Sequence, residues 1–287
     1  MFKNIKINLG IYFLLLPVFL WLFLLIIIPQ IELLFLSFKV EDDMGQLKWS
    51  IANYKEFFNN KIYWYTYART AFYSLLVTFL TFLITFPVAF YITKIVNKKY
   101  TLFLSILLLL PFWVGELVRV YGWTILLRES GVINYFLQTT GIVTEKIEFL
   151  YNDVSMVIVL IYSSMLFMIV PIISSLEGMD DSYIEAAYDL GASKFTIFFK
   201  IIIPYCSGGI VSGSIIVFML TLGNYLVPNF IGGKNSLWFT EQIYNQFISS
   251  FNWNFGSSFG FLLLVLSSLI IFIALKITNQ NLTKVLK

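Results

Sequence analysis

The chain of 287 residues is 59% hydrophobic and 19% aromatic, and only 12% of it is charged, against about 25% in a soluble domain. With a mean hydropathy of +0.84 it lacks the charge to cover a water-facing surface, which excludes an ordinary soluble enzyme, while 30 Phe and 17 Tyr exclude a disordered chain. The absence of histidine removes His-based acid–base catalysis, Ser-His-Asp triads and most zinc sites, and the net charge of +3 gives no support for nucleic-acid binding.

At about 20 apolar residues per span, the length allows roughly six transmembrane helices in one all-α membrane domain over residues 1–287. The first span, 11–36, follows Lys3 and Lys6. It exceeds the roughly 7–15-residue apolar region of a signal peptide and lacks a small-residue cleavage site, so it reads as an uncleaved helix. The second is 69–94. The third, 101–127, is interrupted by Glu116 and Arg119. The fourth is 153–177, the fifth 202–231 and the sixth 255–276. Continuous apolar runs without period-2 alternation point to helices rather than a barrel. Pro17, Pro87, Pro111, Pro171 and Pro228 lie in or at the ends of these runs, where neighbouring elements can re-satisfy the freed carbonyls.

Lys3, Lys6, Lys94, Lys98, Lys99, Lys194, Lys200, Lys276, Lys284 and Lys287 fall in the shorter connecting segments and termini of one side. Their density predicts that both termini lie inside. The outer segments, about 40–66, 128–152 and 232–254, are rich in Trp, Tyr, Phe and Asn. Tyr63, Trp64, Tyr65, Tyr67, Trp49 and Trp253 fit an interfacial aromatic belt, with solute contact as the alternative.

Glu116 and Arg119 lie three positions apart on one face of a helix, where they can pair. A charge in mid-membrane costs about 2.5–3.5 kcal/mol on insertion scales. Such residues therefore face a partner or a cavity, and both readings stand: a self-neutralising pair, or a polar lining of a solute path. Tyr121 and Trp123 continue the segment with ring faces that can receive a cation. In the fifth span Ser207, Gly208, Gly209, Ser212, Gly213 and Ser214 make a small-sided helix suited to close packing, within the chain or against a second subunit. Asn224 and Tyr225 lie farther along, and an amide in an apolar span needs a partner. The lone Cys206 reads as packing.

The segment between the fourth and fifth spans, 178–201, carries the most specific signal. Ser182 followed by Glu185 is a capping box, so a helix should begin at Ser182, with Asp180 and Asp181 favourable at its N-terminus. Gly191 suits the left-handed position after a helix end. Ser193 can cap a second helix, on which Phe195, Phe198, Phe199 and Ile202 recur on one face. An interfacial hairpin that merely joins two spans is one reading. A knob shaped to fit a partner's cleft is the other, with Ala186 and Ala187 keeping the helix thin.

The run Glu185-Ala186-Ala187-Tyr188-Asp189-Leu190-Gly191-Ala192-Ser193, continuing to Phe198, Ile201 and Pro204, resembles the EAA loop of ABC-importer permeases. That resemblance implies a type I importer permease fold whose coupling helices dock on an ATP-binding subunit. Glu185, Ala186, Ala187, Asp189, Gly191 and Ala192 are the coupling positions it marks. Pro111-Phe112-Trp113, Arg119-Val120-Tyr121-Gly122-Trp123 and Gly232-Gly233-Lys234-Asn235 are similar to permeases of spermidine/putrescine importers, the first of their two permease chains above all. Permeases for iron, thiamine and phosphonates share much of this scaffold, and Glu116 stands where the polyamine type would carry an uncharged residue.

The resemblance implies an assembly in the bacterial cytoplasmic membrane: this chain, a second and different permease, two ATP-binding subunits and an extracytoplasmic solute-binding protein. No cofactor is expected on this chain; ATP and Mg belong on the partner ATPase, since no Gly-x-x-x-x-Gly-Lys-Ser/Thr loop occurs. Glu116, Arg119, Tyr121, Trp123, Asn224 and Tyr225 are the candidate solute path. An ion-coupled secondary transporter is the alternative in another class, but it gives no reason for a capped connecting segment and no internal repeat is evident.

Overall fold

The computed structural model describes residues 9–41, 45–233 and 236–278. Lys3, Lys6, Lys234, Asn235, Lys284 and Lys287, used above, lie outside the described residues.

In chain order, α1 (Leu9–Leu22) runs through a π-helical turn into α2 (Ile28–Ser37). A two-stranded antiparallel hairpin follows, β1 (Lys39–Glu41) with β2 (Leu47–Trp49), Lys39 opposite Trp49. Next come α3 (Ala52–Asn59), the long α4 (Lys61–Phe90) with a π-helical turn Tyr91–Ile95, and α5 (Lys98–Leu109). A 3-10 turn, Leu110–Trp113, leads to α6 (Glu116–Leu127) and α7 (Val132–Thr139). Then α8 (Asp153–Glu177), α9 (Ser182–Asp189), α10 (Lys194–Ile197), a π-helical turn Phe198–Ile202, α11 (Ile203–Tyr205) and α12 (Ser207–Leu222). A π-helical turn Pro228–Gly232, α13 (Phe239–Tyr244), another at Asn245–Ser249 and α14 (Trp253–Ile277) complete the described chain.

Among the described residues four helices are long and apolar enough to cross a membrane: Leu14–Ser37, Lys61–Ile95, Asp153–Glu177 and Trp253–Lys276. Two bent pairs bring the number to six if each pair is counted as one span. The third expected span, 101–127, is not one straight helix: Lys98–Trp113 and Glu116–Thr139 meet at 87°. Pro111 cannot donate to the carbonyl four residues back, and Gly115 opens the next helix. The fifth, 202–231, is bent by 67° between Lys194–Tyr205 and Ser207–Leu222, just after Pro204, and α12 stops at Leu222 rather than continuing to 231.

The chain divides into two compact units, Met1–Trp64 with Gln242–Leu264, and Tyr65–Glu241 with Val265–Lys287. In the first, every residue from Leu14 to Glu32 is exposed. A helix apolar all round with no cover in its own chain is suited to lipid or to another subunit. Asn53 ties the end of α2 to the hairpin, its Nδ2 donating to the Ser37 and Lys39 carbonyls at 3.0 Å each. Phe57, Tyr63, Phe255 and Phe259 make an aromatic cluster, with Tyr63 to Phe259 at 4.9 Å and Phe57 to Phe259 at 5.6 Å between centroids.

In the second unit α12 lies against α8. The glycines of α12 permit this: a Cβ on Gly213 would come within 2.9 Å of Met168 Sδ, and one on Gly209 would collide with the Pro171 carbonyl. The small side of the fifth span is thus used within the chain at these two positions, while Gly208 has open space around it. A buried hydroxyl stripe on α4, comprising Thr66, Thr70, Ser74, Thr81 and Thr85, gives α4 a narrow face of the same kind. Thr70 Oγ1 accepts the Phe239 N–H at 2.9 Å. Two buried clusters hold the unit. One gathers Phe86, Ala89, Met168, Ile172, Met179, Ala187, Ile197 and Cys206 beside the 178–201 segment, and the other gathers Val77, Val120, Met156, Val227 and Trp238.

Candidate functional site: a capped connecting segment and a polar cavity

The 178–201 segment folds as a helix, a sharp corner and a second helix. The start of α9 differs from the expected capping box. Asp181 stands at the N-cap without a side-chain cap bond, and the carboxylate of Asp180 before it accepts the Ser182 N–H at 3.0 Å. The bond closes a short Asx turn ahead of the helix, while the Glu185 N–H that a Ser182 hydroxyl would have taken goes to the Asp181 carbonyl at 3.1 Å. Bonds from the Ser182 N–H and hydroxyl hold the Asp180 carboxyl below its usual range. At the other end, the Ala192 N–H reaches the Ala187 carbonyl at 3.0 Å and the Gly191 N–H the Tyr188 carbonyl at 2.9 Å. With Gly191 at φ +75°, this is a Schellman corner, and glycine takes that backbone without strain. Ser193 then caps α10 through the Thr196 N–H at 3.2 Å, as expected.

The corner sorts the six marked positions. Glu185, Ala186, Asp189 and Gly191 are exposed, Ala192 is half-buried, and Ala187 is buried in the core. Ala187 therefore anchors α9 from below, and its neighbour Ala186 offers the smooth surface. Leu190 at the corner is 88% exposed and Phe195 is 72% exposed. The expected single apolar face Phe195, Phe198, Phe199 and Ile202 does not form. The π-helical turn Phe198–Ile202 shifts the register, so that Ile197 and Ile202 are buried while Phe195 and Phe199 stack outside at 4.5 Å.

Two ties that sequence reasoning missed hold the base of α9. Lys94 Nζ, at the end of the second span, donates to the Met179 carbonyl and to Asp181 Oδ1 at 2.6 Å each. The Tyr205 hydroxyl donates to the Gly178 carbonyl at 2.6 Å. A lone cation closing an apolar span was the only local sign of Lys94, and it reads equally as a topology charge.

The second site is a cavity of about 440 Å³ between the bend before α6 and the end of α12. Glu116, Arg119, Asn224 and Tyr225 line it together with Phe112, Ser163 and Thr221. Glu116 is the first residue of α6, where a negative charge suits the helix N-terminus. It does not pair with Arg119. Its Oε1 instead accepts from Asn224 Nδ2 at 2.8 Å. Asn224, just past the end of α12, also accepts the Val227 N–H at 2.9 Å and, through its carbonyl, the Thr240 hydroxyl at 2.7 Å. The amide thus has the partner it needed. The bend before α6 carries Glu116 towards Asn224, which spacing on a straight helix could not show.

The Arg119 guanidinium lies over the Phe112 ring, 4.8 Å from its centroid. Its buried Nε has no hydrogen-bond partner, and neither do the buried Ser163 Oγ and Thr221 Oγ1. Arg119, Ser163 and Thr221 all line the cavity, so its wall is polar although these three atoms are themselves buried. Tyr121 and Trp123 are not brought there. Their rings meet Phe230 at 4.9 Å and Tyr162 at 5.4 Å.

Residues 8–284 match the family described as binding-protein-dependent transport system inner membrane component. The chain is 34% identical to the spermidine/putrescine transport system permease protein PotB of Haemophilus influenzae, covering 92% of this chain and 93% of that protein. It is 31% identical to the PotB protein of Escherichia coli, over 88% of this chain and 92% of the other. It is also 30% identical to the inner membrane ABC transporter permease protein YdcU of Escherichia coli, over 78% and 76% of the two chains. Its fold is that of a chain in the crystal structure of a bacterial ABC transporter involved in the import of the acidic polysaccharide alginate, with a TM-score of 0.72 at 18% identity over 96% of this chain and 97% of that one. The chain therefore belongs to the inner-membrane permeases of binding-protein-dependent ABC importers, a transport component and not a catalyst.

Proposed function

We propose that the chain is the permease of a polyamine importer, with spermidine or putrescine as solute. The capped segment 178–201 is its contact with an ATP-binding subunit, and the polar cavity is part of its solute path. The observation that carries the coupling role is the Schellman corner. It exposes Glu185, Ala186 and Leu190 on a short helix whose base is locked into the core through Ala187. Small and apolar residues on a rigid, capped helix suit a cleft in a partner. The positive-inside rule puts this segment in the cytoplasm, where Lys94, Lys98, Lys194 and Lys200 also lie.

The remaining partners are a second, different permease, a second ATP-binding subunit and an external solute-binding protein. ATP and Mg are held by the ATP-binding subunits. Closure of the ATP-bound dimer pulls on α9, turns the spans from inward-open to outward-open, and hydrolysis resets them. Glu116 offers a carboxylate to an ammonium group in the cavity, and the PotB relatives' names support a polyamine.

Glu185→Arg tests the coupling role. The variant inserts into the membrane but loses solute-stimulated ATP hydrolysis in the assembled complex; unchanged stimulation refutes it. A second reading has a specific observation behind it. Arg119 lines the cavity with a guanidinium, which repels a protonated polyamine and suits a small solute with an oxygen acceptor, such as a phosphonate. Binding measurements on the partnering solute-binding protein separate the two: polyamine binding supports the first, and binding of an oxyanion instead supports the second.

A further inference from the structure

We propose that Lys94 is a positioning residue for energy coupling, the strut through which movement of α9 reaches the second membrane span. The inference rests on the reading of 178–201 as the contact with the ATP-binding subunit.

Lys94 belongs to the π-helical turn Tyr91–Ile95, which continues α4 without a break in the span. Its side chain is only 8% exposed. The ammonium holds the Met179 carbonyl and the Asp181 carboxylate, both at 2.6 Å. These two acceptors flank Asp180, whose own carboxylate accepts the first N–H of α9. One cation therefore grips the residues on both sides of Asp180, immediately ahead of α9. Below it, Met179 and Ala187 share a buried cluster with Phe86 and Ala89 of α4, so the polar grip and the apolar contact join the same two elements.

The two bonds of the grip differ in exposure. The Lys94 side chain is nearly buried and Asp181 is 56% exposed, so the ammonium is held chiefly through the part-buried bond to the Met179 carbonyl, with Asp181 as a water-accessible second acceptor. A displacement of α9 thus carries Lys94 with it, and with Lys94 the end of the second span. The Tyr205 hydroxyl on the Gly178 carbonyl makes a second tie, to the lead of the fifth span. Without Lys94, α9 remains folded by the Asp180 turn and its corner, but its motion is no longer tied to the second span. The chain then hydrolyses ATP through its partner without moving solute in proportion.

The test uses the complete complex in proteoliposomes, with its second permease, ATP-binding subunits and solute-binding protein. Lys94→Met and Lys94→Arg are compared with the wild type for co-purifying ATP-binding subunit, for ATP hydrolysis, and for solute taken up per ATP hydrolysed. The expected result is an intact Lys94→Met complex that hydrolyses ATP, with uptake per ATP lowered about tenfold, and recovery to within about twofold in Lys94→Arg. Uptake per ATP unchanged in Lys94→Met overturns the proposal. So does a loss of the ATP-binding subunit in which uptake and hydrolysis fall together, since that is a fold defect and not uncoupling. Glu185→Arg measured in parallel keeps the two failures apart. If it abolishes stimulation while Lys94→Met changes nothing, the strut is wrong and the docking role stands. If it too changes nothing, the docking role itself is wrong and the strut falls with it.

Discussion

Glu116 and Asn224 stand 108 positions apart in the chain, and Nδ2 of Asn224 donates to Oε1 of Glu116 at 2.8 Å. The bond closes the gap between two interrupted helices, one beginning at Glu116 and the other ending at Leu222. Broken helices that meet over a polar cavity are a common way to place binding groups inside a membrane, because their free ends supply charge and hydrogen bonds.

If Glu116 receives an ammonium group there, Glu116→Gln keeps the bond to Asn224 but removes the charge. A hydrogen bond to a charged group contributes about 1.5–3 kcal/mol. Uptake of a cationic solute should therefore fall by about tenfold or more, with assembly unchanged. The measurement is initial uptake rate at saturating solute-binding protein, and wild-type kinetics in the variant would exclude Glu116 from the path.

The α12–α8 contact makes a sharp distinction between two neighbouring glycines. Gly213→Leu forces a side chain into Met168 and should destabilise the purified chain by about 1–3 kcal/mol. Gly208→Ala meets nothing within 4 Å and should leave stability unaltered or raise it by up to about 1 kcal/mol. Thermal unfolding in detergent of both variants checks the pair, and equal melting temperatures would rule out the packing described.

Gly191 holds a backbone at φ +75° that a β-branched residue adopts only under strain. Gly191→Val should cost about 1–2 kcal/mol at the corner. That corresponds to about a 5–30-fold drop in the population of the native corner, and should lower the amount of ATP-binding subunit retained on purification. Gly191→Asn, which tolerates the left-handed region, should retain most of it. A valine variant that binds its partner normally would show that the corner is not the docking element.

What was legible in the sequence follows how local its causes are. The corner at Gly191 and the Ser193 cap depend on residues within a few positions, and both stand where the spacing predicts them. The start of α9 was placed correctly, but the Glu185 N–H goes to the Asp181 carbonyl rather than to a Ser182 hydroxyl, and the Ser182 N–H goes to the Asp180 carboxylate. Pro111 was visible, but the 87° bend it permits was not. Prolines are tolerated in straight membrane helices too, and the direction of this bend is stabilised by Asn224, far away in the chain. Lys94 could not be assigned at all, because its acceptors lie 85 and 87 positions on. Tyr121 and Trp123 were placed near the path by sequence adjacency to Arg119, whereas helical rotation points their rings at Phe230 and Tyr162.

The exposed corner also bears on the lifetime of the chain. A copy without its ATP-binding partner presents Leu190 and Phe195 to the surrounding water, and on the orientation proposed that water is the cytosol. Bare apolar groups on a rigid tip are the kind of surface that aggregates and that chaperones and proteases monitor. The same feature that makes a good plug for a cleft thus labels every unassembled copy. If the ATP-binding subunit covers the tip as proposed, the cellular level of this permease should follow the supply of that subunit, and not its own rate of synthesis.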